Sequence, residues 1–218
     1  IMILHHLSEK NSVLNHFLSQ IRDIERQKDS MRFRKNMERI GEIMAYEMSK
    51  QFSFVPQTTT TPLGEKATFF VENPIVICSV LRAGLALHTG FTAFFDEAEN
   101  GYISAYRHHF DGSDTFEIVV QYKAVPSFAD KNVVLVDPML ATGASLVAVF
   151  NKIMEHENPK EIHIAVVVAA PEGIAYLEKN LPNNCHLWIA AIDEKLNAAN
   201  YIVPGLGDAG DLAFGNKL

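Results

Sequence analysis

Apolar residues occur along the chain in two patterns: short continuous runs, and longer stretches with apolar positions three and four residues apart. The runs are typical of buried parallel strands, and the spaced stretches are typical of amphipathic helices. Continuous runs lie at Ile75–Leu81, Val133–Val136, Ile162–Ala169 and Trp188–Ile192. Helical spacing covers residues 11–28, a segment from about residue 30, the residues after 84 and after 173, and a segment from residue 145. Such alternation produces βαβ units, so the predicted fold class is α/β, a mostly parallel sheet with helices on both faces.

Three regions depart from this alternation. Residues 55–70 contain four consecutive threonines and the turn signal Pro62-Leu63-Gly64, which predicts a small antiparallel addition. Tyr102–Tyr106 and Phe116–Tyr122 flank a turn-prone segment at residues 111–114, which predicts a β-hairpin arm. Residues 200–215 are so rich in glycine and aspartate that no packed element is expected there.

The segment Asn132–Asn151 combines a strand, a loop of small residues and a helix. Residues 141–145 read ATGAS and would bring backbone N–H groups, two hydroxyls and a helix N-terminus to one point, which favours a phosphate. Asp137 would repel a bare phosphate, but its carboxylate is suited to accept hydrogen bonds from vicinal sugar hydroxyls. The segment therefore indicates a sugar phosphate. No lysine follows Gly143 and no G-x-G-x-x-G follows the strand, which argues against Walker-type triphosphate binding and a dinucleotide fold.

The wording of this loop, VDPMLATGAS, resembles the 5-phosphoribosyl diphosphate (PRPP) loop of uracil phosphoribosyltransferases, which usually reads VDPMLATGGS. The resemblance implies that PRPP contacts Asp137 and all the residues after it in the motif: Pro138, Met139, Leu140, Ala141, Thr142, Gly143, Ala144 and Ser145. Ala144 replaces the second glycine, which is acceptable if its φ is negative and its Cβ avoids the ligand. The alternative for the loop alone is that Thr142 and Ser145 only cap a helix.

Arg82 stands where a buried strand meets the small residues Ala83 and Gly84. A guanidinium there needs an anionic partner, and a structural salt bridge is the alternative to a ligand. The surrounding SVLRAGLALHTG resembles the family's ILRAGLGM segment. The resemblance implies that Arg82 faces the pyrophosphate of PRPP and that the peptide near Leu81 and Arg82 is strained or cis.

Arg107, directly after the predicted strand at residues 102–106, matches a second pyrophosphate-binding arginine of the family. The family continues with acidic residues, whereas this chain continues HHFDG, a difference that bears on closure of the arm over the ligand. His108 and His109 would point to opposite sides of a strand, and no cysteine or third histidine stands at ligand spacing. They are therefore expected to be loop histidines and not metal ligands.

Residues 200–215 read NYIVPGLGDAGDLAFG, in which glycines and Pro204 fix turns and let the backbone approach a flat ligand. Uracil presents an acceptor, donor, acceptor edge that backbone groups can read, and the amino group of cytosine would meet a donor instead of an acceptor. The segment resembles the family's YIVPGLGDAGDxxFG uracil-binding loop. The resemblance implies base recognition by Ile202, Gly207, Asp208 and Ala209, with Asp208 also near PRPP. An ordinary C-terminal tail is the alternative.

These motifs each follow a predicted strand, so they are expected to meet along the carboxyl edge of the sheet. The resemblance implies transfer of the phosphoribosyl group from PRPP to uracil, giving UMP and pyrophosphate, with Mg2+ held mainly by the diphosphate and water and not by protein ligands. No protein nucleophile is required. Arg82, Arg107 and the ion would stabilise the leaving group, while Asp137 would hold the ribose hydroxyls and offset positive charge in an oxocarbenium-like state.

Composition narrows the class of protein. The 218 residues are 48% hydrophobic, which fits one globular domain, alone or with a small appendage. The resemblance implies that this is a single phosphoribosyltransferase domain with N-terminal helices at 11–50, a core at 73–195 and a C-terminal uracil-binding loop at 197–218. With 26 acidic against 19 basic residues, no nucleic-acid partner is expected. No apolar run is long enough to span a bilayer and the N-terminus lacks the pattern of a signal peptide, so a cytoplasmic protein is expected. Cys78 and Cys185 are expected to be reduced, packed thiols.

Two other functions stay open. One is a nucleotide-sensing regulator that keeps the fold but binds RNA or a partner protein, against which the acidic balance and the intact uracil loop argue. The other is phosphoribosyl transfer to a different base, which would require another hydrogen-bond pattern in the C-terminal loop. The resemblance also implies a homodimer or higher homo-oligomer and GTP as a candidate effector. The helix after residue 30, lined by Met37, Met44 and Met48, is a candidate contact between subunits.

Overall fold

The computed structural model describes residues 2–109, 116–155 and 157–217, and at residues 106–109 and 116–118 it describes the backbone alone. The strands, in chain order, are β1 (Ile3–His6), β2 (Phe54–Thr61), β3 (Gly64–Val71), β4 (Ile75–Leu81), β5 (Glu99–His109), β6 (Phe116–Ala124), β7 (Asn132–Val136), β8 (Met139–Leu140), β9 (Glu161–Ala169), β10 (Cys185–Ile192), β11 (Lys195–Leu196) and β12 (Ile202–Val203). The helices are α1 (Leu14–Arg22), α2 (Ser30–Ser49), α3 (Gly84–Thr92), α4 (Ala144–Ile153), α5 (Pro171–Asn180) and α6 (Ala209–Phe214).

The main sheet has the strand order β1-β10-β9-β7-β4-β5-β6, and β8 pairs with the end of β9. All neighbouring strands in it are parallel except β5 and β6, which are antiparallel. The predicted α/β class with a mostly parallel sheet is confirmed. In such a sheet the carboxyl ends of β4, β7 and β9 share one edge, where open α/β folds bind ligands.

Helices cover both faces of this sheet. On one face, α1, α2 and α3 pack against residues such as Ile77 and Val134. On the other face, α4 and α5 pack against their neighbours in the same strands, such as Val76 and Val133. Successive residues of β4 and β7 thus enter opposite cores, which explains why these strands are apolar without interruption.

The methionines of α2 belong to the first of these cores. Met37, Met44 and Met48 are between 0% and 1% exposed, as is Phe33. The methionines therefore form part of a helical layer over the sheet and not of a surface, while a subunit contact through the rest of α2 stays a prediction. Burial against α3 and the sheet is enough to explain the row of unbranched side chains, which adapt well to irregular gaps.

The first helix is shorter than its apolar spacing predicts. α1 ends at Arg22 because Asp23 takes an extended conformation and its Oδ1 accepts hydrogen bonds from the N–H groups of Glu25 and Arg26. Aspartate side chains compete in this way with helical hydrogen bonding. Ile24, counted in the helical pattern, is 74% exposed.

An edge strand near the start of the chain has no counterpart in the predicted elements. β1 pairs in parallel with β10 and places His5 against Trp188, with ring centroids 3.7 Å apart. His5 Nε2 lies 3.1 Å from His186 Nδ1, and the Trp188 N–H donates to His163 Nδ1 at 3.2 Å. Burial, together with the neighbouring His186 and His5, lowers the pKa of His163 to about 3. This histidine cluster lies near the amino ends of β9 and β10, away from the carboxyl edge.

Both predicted hairpins are present. β2 and β3 form a separate two-stranded antiparallel sheet whose residues are nearly all exposed or half-buried. β5 and β6 pair antiparallel from Tyr102 to His109, and the turn-prone residues 111–114 lie outside the described residues.

Both cysteines are buried and free, as predicted. Burial raises the pKa of Cys78 to about 12 and that of Cys185 to about 11, so both are packed thiols with little thiolate character. Among the described residues, none of the helices combines the length and the apolar character needed to cross a bilayer.

Candidate functional site

The loop at residues 137–143 connects β7 to α4. The Asp137 N–H donates to the carbonyl of Ala165 at 3.1 Å, and β8 pairs with the end of β9, so the loop is fastened to the neighbouring strand. Gly143 closes the loop with a φ of 81°, and a Cβ there would lie 2.7 Å from Leu177 Cδ1. The predicted strand, loop and helix are confirmed, although the helix begins at Ala144 and not at Ser145.

The start of α4 shows whether the hydroxyl residues of the loop cap the helix and whether Ala144 can replace glycine. The N-cap position belongs to Gly143, which has no side chain, and Thr142 Oγ1 accepts a long hydrogen bond of 3.4 Å from the Ala144 N–H. Helix capping therefore does not account for the two hydroxyl residues of the loop. Ala144 lies within the helix and has a negative φ, so its backbone tolerates the replacement of glycine.

The carboxyl group of Asp137 is enclosed by protein atoms, although the residue as a whole is partly exposed. Burial raises the pKa of Asp137 to about 7, and a 3.3 Å hydrogen bond from the Met139 N–H to Oδ1 acts in the opposite direction. Burial disfavours the charged form, so near neutral pH the site without ligand holds both the acid and the carboxylate. Carboxyl groups shifted in this way are concentrated at functional sites.

The turn after β4 lies directly beside this loop. The peptide between Leu81 and Arg82 is cis, as the family resemblance implies. β4 and β7 are parallel neighbours, so Arg82 and Asp137 leave the sheet at the same edge. A Cβ on Gly84 would lie 2.8 Å from the carbonyl oxygen of Val136, which requires a residue without a side chain at this close approach.

The Arg82 side chain contacts the C-terminal segment. Its Nη2 donates to Asp211 Oδ1 at 3.0 Å and to the carbonyl of Gly215 at 3.1 Å. Its Nε is buried and has no hydrogen-bond partner among the described atoms. The structural salt bridge considered from the sequence is thus present, but its acidic partner lies in the proposed base-binding segment. A buried donor without a partner is costly, so the guanidinium retains capacity for another acceptor.

Arg107 lies within β5 instead of directly after a strand, because β5 continues to His109. The parallel pairing of β5 with β4 stops at Ser104, after which β5 pairs only with β6 in the described chain. The backbone of Arg107 therefore belongs to the antiparallel arm beyond the sheet edge. The side chains of Arg107, His108 and His109, on which the sequence predictions depend, lie outside the described residues.

The C-terminal segment contains packed elements, so the expectation that it would have none is wrong. β11 and β12 pair antiparallel, and α6 follows. Leu206, Ala209 and Ala213 are between 1% and 4% exposed and join the core beside α2, which offsets the many glycines and aspartates. Asp208 begins α6 by accepting a 3.0 Å hydrogen bond from the Asp211 N–H.

The backbone between β12 and α6 turns sharply. The Val203–Pro204 peptide is cis, and Gly205 and Gly207 have left-handed φ values of 61° and 92°. A Cβ on Gly205 would collide with the carbonyl oxygen of Ile202, so only glycine fits there. Gly207 is exposed at the site, whereas the Ile202 side chain is buried. A ligand at this segment would therefore meet backbone groups.

The turn at Arg82 touches the loop on one side and the C-terminal segment on the other. Gly84 packs against Val136, and a Cβ on Gly210 would lie 3.8 Å from Ala83 Cβ. The structure thus brings Asp137, Arg82 and residues 202–210 to one edge of the sheet, as the sequence predicts.

Sequence reasoning missed a chain of polar side chains behind the Arg82 turn, which runs from the buried Ser79 and His88 to the exposed Asn100. His88 Nδ1 contacts Ser79 Oγ, and His88 Nε2 lies 2.7 Å from Asn100 Oδ1. Asn100 Nδ2 donates to the carbonyl of Ala98 at 3.0 Å, which orients the amide, so His88 donates from Nε2 and accepts from Ser79 at Nδ1. Burial lowers the pKa of His88, which favours this neutral form. The three side chains come from β4, α3 and β5, so no local sequence pattern predicts that they meet.

Comparison with known proteins decides which family this site belongs to. The chain matches a family model described as uracil phosphoribosyltransferase over residues 8–216. A uracil phosphoribosyltransferase of Porphyromonas gingivalis is 46% identical over 213 residues, which cover 98% of this chain and 98% of that protein. The chain belongs to the uracil phosphoribosyltransferase family.

Other uracil phosphoribosyltransferases and solved structures extend the likeness. The enzyme of Thermococcus gammatolerans is 36% identical over 213 residues, covering 96% of this chain and 92% of its own length. The solved structure of the AQ2163 protein from Aquifex aeolicus has a TM-score of 0.87 at 28% identity, with 98% of both chains covered. The resemblance read from the motifs is confirmed at the level of the family, and all three segments of the site lie within the matched residues.

Proposed function

We propose that this member of the family transfers the 5-phosphoribosyl group from PRPP to uracil, producing UMP and pyrophosphate. The observation that carries the proposal is the meeting of the loop 137–143, Arg82 and the C-terminal segment at one sheet edge. The proposed PRPP contacts are Asp137, Pro138, Met139, Leu140, Ala141, Thr142, Gly143, Ala144, Ser145, Arg82, Arg107 and Asp208. The proposed uracil contacts are Ile202, Gly207, Asp208 and Ala209.

The proposed reaction is a displacement at the anomeric carbon. The bond from that carbon to the pyrophosphate oxygen breaks ahead of bond formation to a ring nitrogen of uracil, and the nitrogen loses its proton. Positive charge therefore builds on the ribose while negative charge builds on the leaving group. Catalysis consists of aligning the two ligands and stabilising both charges, so no protein nucleophile takes part.

Asp137 is proposed to act on the ribose. In the site without ligand, its pKa of about 7 leaves part of the population protonated. Ribose hydroxyls that donate hydrogen bonds to the carboxylate favour the charged form and draw the group toward full ionisation. An ionised Asp137 then stabilises the positive charge that develops on the sugar, while Arg82, whose Nε lacks a partner among the described atoms, stabilises pyrophosphate.

Mg2+ is proposed to accompany PRPP. Mg2+ is usually bound by one or two carboxylates together with substrate phosphates and water. Asp137 and Asp208 are carboxylates at the site edge, and the described chain contains no group of three or more histidine, cysteine, aspartate or glutamate side chains arranged to hold a metal ion. This donor set fits an ion carried largely by the diphosphate, where it would neutralise charge on the leaving group.

We further propose that the chain is one cytoplasmic domain that acts as a homodimer, with the β2–β3 hairpin as the contact. Phe54, Phe69 and Phe70 on this hairpin are 46%, 68% and 47% exposed. A free two-stranded hairpin is marginally stable in water, and exposed apolar patches mark interfaces. Sedimentation should show a dimer that Phe69→Glu dissociates; a wild-type monomer at all concentrations would refute this.

GTP activation rests on the family resemblance alone and is tested by adding GTP to the assay.

Incubation with uracil, PRPP and magnesium chloride tests the main proposal. UMP and pyrophosphate should appear in equal amounts, and cytosine or hypoxanthine in place of uracil should give little product. Binding of both substrates without UMP would instead support a nucleotide sensor. Faster transfer to another base would refute uracil as the substrate.

A further inference from the structure

Arg22, the last residue of α1, and Asp193, the first residue after β10, form an ion pair against the C-terminal segment. Arg22 Nη2 lies 2.6 Å from Asp193 Oδ1, and Nη1 lies 2.9 Å from Oδ2, which is a bidentate arrangement. The Arg22 side chain is 22% exposed and that of Asp193 is 5% exposed. The pair links residues 171 positions apart, so it joins the first helix to the end of the sheet.

The same two side chains hold both backbone polar groups of Gly205. The Gly205 N–H donates to Asp193 Oδ2 at 2.9 Å, and its carbonyl accepts from Arg22 Nη1 at 2.9 Å. Gly205 is buried, and buried backbone groups require partners. The left-handed φ of 61° at Gly205 sets the direction of both groups. The ion pair therefore stabilises one particular conformation of this turn.

A second side chain lies beside the following turn. Gln27 Nε2 donates to the carbonyls of Ile21 and Arg22 at 3.3 and 3.1 Å. Gln27 Oε1 lies 4.0 Å from the position that a Cβ on Gly207 would occupy. The end of α1 and the residues just after it thus lie against Gly205 and Gly207, the two left-handed glycines between β12 and α6.

Stability alone is a weak explanation for this ion pair. The free energy needed to remove two charges from water is about as large as the free energy gained from their attraction. Apolar replacements of buried pairs are therefore often neutral or stabilising. Apolar side chains, however, would leave the N–H and carbonyl of Gly205 without partners. The distinct contribution of Arg22 and Asp193 is to fix the backbone at Gly205.

We propose that Arg22 and Asp193 are positioning residues for uracil recognition. This inference rests on the proposed function, in which backbone groups around Gly207 read the base. A backbone contact has no rotamers to adjust, so it depends on a conformation fixed before the ligand arrives. Loosening Gly205 misplaces the groups at Gly207 and leaves the loop 137–143 unchanged, because that loop is held by β9 and α5.

Steady-state kinetics of Arg22→Met, Arg22→Lys and Asp193→Asn test this role. Arg22→Met should raise the KM for uracil about 10- to 100-fold and change the KM for PRPP by less than about twofold. Arg22→Lys keeps the charge and loses the planar fork, so it should rescue part of the loss. The ratio of kcat/KM for uracil to kcat/KM for cytosine should fall most in the variant whose KM for uracil rises most. A backbone that is not fixed distinguishes poorly between the two bases.

Arg39→Met is the matched control. Arg39 lies on α2, where its Nη1 donates to Asn36 Oδ1 at 3.1 Å and its guanidinium carbon lies 5.3 Å from the centre of the Phe17 ring on α1. It therefore holds α1 without a hydrogen bond to the C-terminal segment among the described residues. Its replacement should lower the melting temperature and leave the KM for uracil unchanged. The double variant Arg22→Met/Asp193→Asn should be no worse than the more damaging single variant, because residues that act as one unit are not additive.

Equal increases in the KM values for uracil and PRPP, or a lower melting temperature with unchanged kinetics, would overturn the positioning role. If Arg22→Met does not fold, Arg22→Lys and Asp193→Asn decide the question with the same measurements. Failure of the proposed function gives a different result, because the wild-type protein itself would then form no UMP. If the wild-type protein forms UMP and the Arg22 and Asp193 variants have the same KM values as wild type, only the positioning role is overturned.

Discussion

The loop 137–143 and the segment 193–215 line the same sheet edge but are held in different ways. The loop is held by its neighbours in the α/β layers: β8 pairs with β9, and Gly143 packs against Leu177. The segment is held by Arg22, Arg34 and Arg82, which lie 171, 179 and 129 positions from the residues they contact. One half of the site is encoded in a short stretch of chain, and the other half depends on contacts across the whole sequence.

This difference means that the two substrates should respond separately to substitution. Changes in the loop should act on PRPP and on the chemistry at the ribose, whereas changes at Arg22 and Arg34 should act on the base. Arg82 contacts the C-terminal segment and is itself a proposed PRPP contact, so it belongs to both halves. Sites without shared partners usually contribute independently. Variants in each half test whether the kinetics with PRPP and with uracil change independently, from the largest expected effect to the smallest.

Asp137→Asn should have the largest effect, and it should act on the chemical step. Asparagine keeps an acceptor for a ribose hydroxyl but carries no charge, so kcat should fall about 10²- to 10³-fold while the Kd for PRPP changes by less than about threefold. Single-turnover rates and calorimetric titration measure the two quantities. Asp130→Asn is the control, since this exposed residue precedes the opposite end of β7 and its φ of 59° suits asparagine. Losses of equal size in both quantities would refute the electrostatic role.

The paired variants Gly143→Ala and Gly205→Ala compare the two halves directly. Both residues have left-handed φ values, 81° and 61°, and an added Cβ meets Leu177 Cδ1 in the first case and the Ile202 carbonyl oxygen in the second. Strain of this kind costs about 1–3 kcal/mol. The KM for PRPP should rise in Gly143→Ala and the KM for uracil in Gly205→Ala, each about 5- to 100-fold. If each variant raises both KM values, the halves are not independent.

Arg34→Met should have a smaller effect confined to the base. Arg34 Nη1 donates to the carbonyl of Ala213 at 2.6 Å, so its loss should loosen α6 and raise the KM for uracil about threefold. Arg32→Met on the same helix is the control, because Arg32 forms an exposed pair with Asp29 at 3.7 Å and such pairs contribute little. A response of the PRPP kinetics to Arg34→Met would show that α6 also supports the phosphate side.

The pH dependence of stability should report the burial of Asp137. Its folded pKa is raised from 3.8 to about 7, so between those values the folded state holds a proton that the unfolded chain has lost. Stability contributed by this group therefore falls as pH rises from about 4 to 7 and is constant above that range. Compared with wild type, Asp137→Asn should melt about 2–6 °C higher at pH 8, after allowance for partial solvent access, and at nearly the same temperature at pH 4. A difference that does not change with pH would show that the carboxyl group is not desolvated.

Much of the sheet could be predicted because its signals are local. β4 spans Ile75–Leu81, the bounds that its apolar run predicts, and the loop between β7 and α4 follows from small residues after a buried strand. A parallel sheet buries its strands on both faces, so each strand is apolar along its length and stands out in the sequence. The elements that carry the phosphate side of the site are of this kind.

The remainder could not be predicted because it depends on partners far along the chain. α1 ends early through the Asp23 side chain, which competes for backbone groups in a way that apolar spacing does not reveal. β1 is too short to be recognised without β10 beside it. The pairs Arg22–Asp193 and Arg82–Asp211 join residues that no local pattern connects. Burial of Ala209 and Ala213 likewise depends on α2, so a segment rich in glycine forms a helix.

The separation between the anchoring arginines and their partners has a consequence for biosynthesis. Arg22, Arg34 and Arg82 leave the ribosome long before the oxygen atoms that they contact have been translated. Proteins begin to fold during translation, from the N-terminal side. A chain truncated just before residue 193 would therefore contain all the strands of the main sheet but none of the groups that these three arginines contact. Folding of the site would then be completed only when Asp193, Asp211 and the carbonyl of Ala213 reach these arginines.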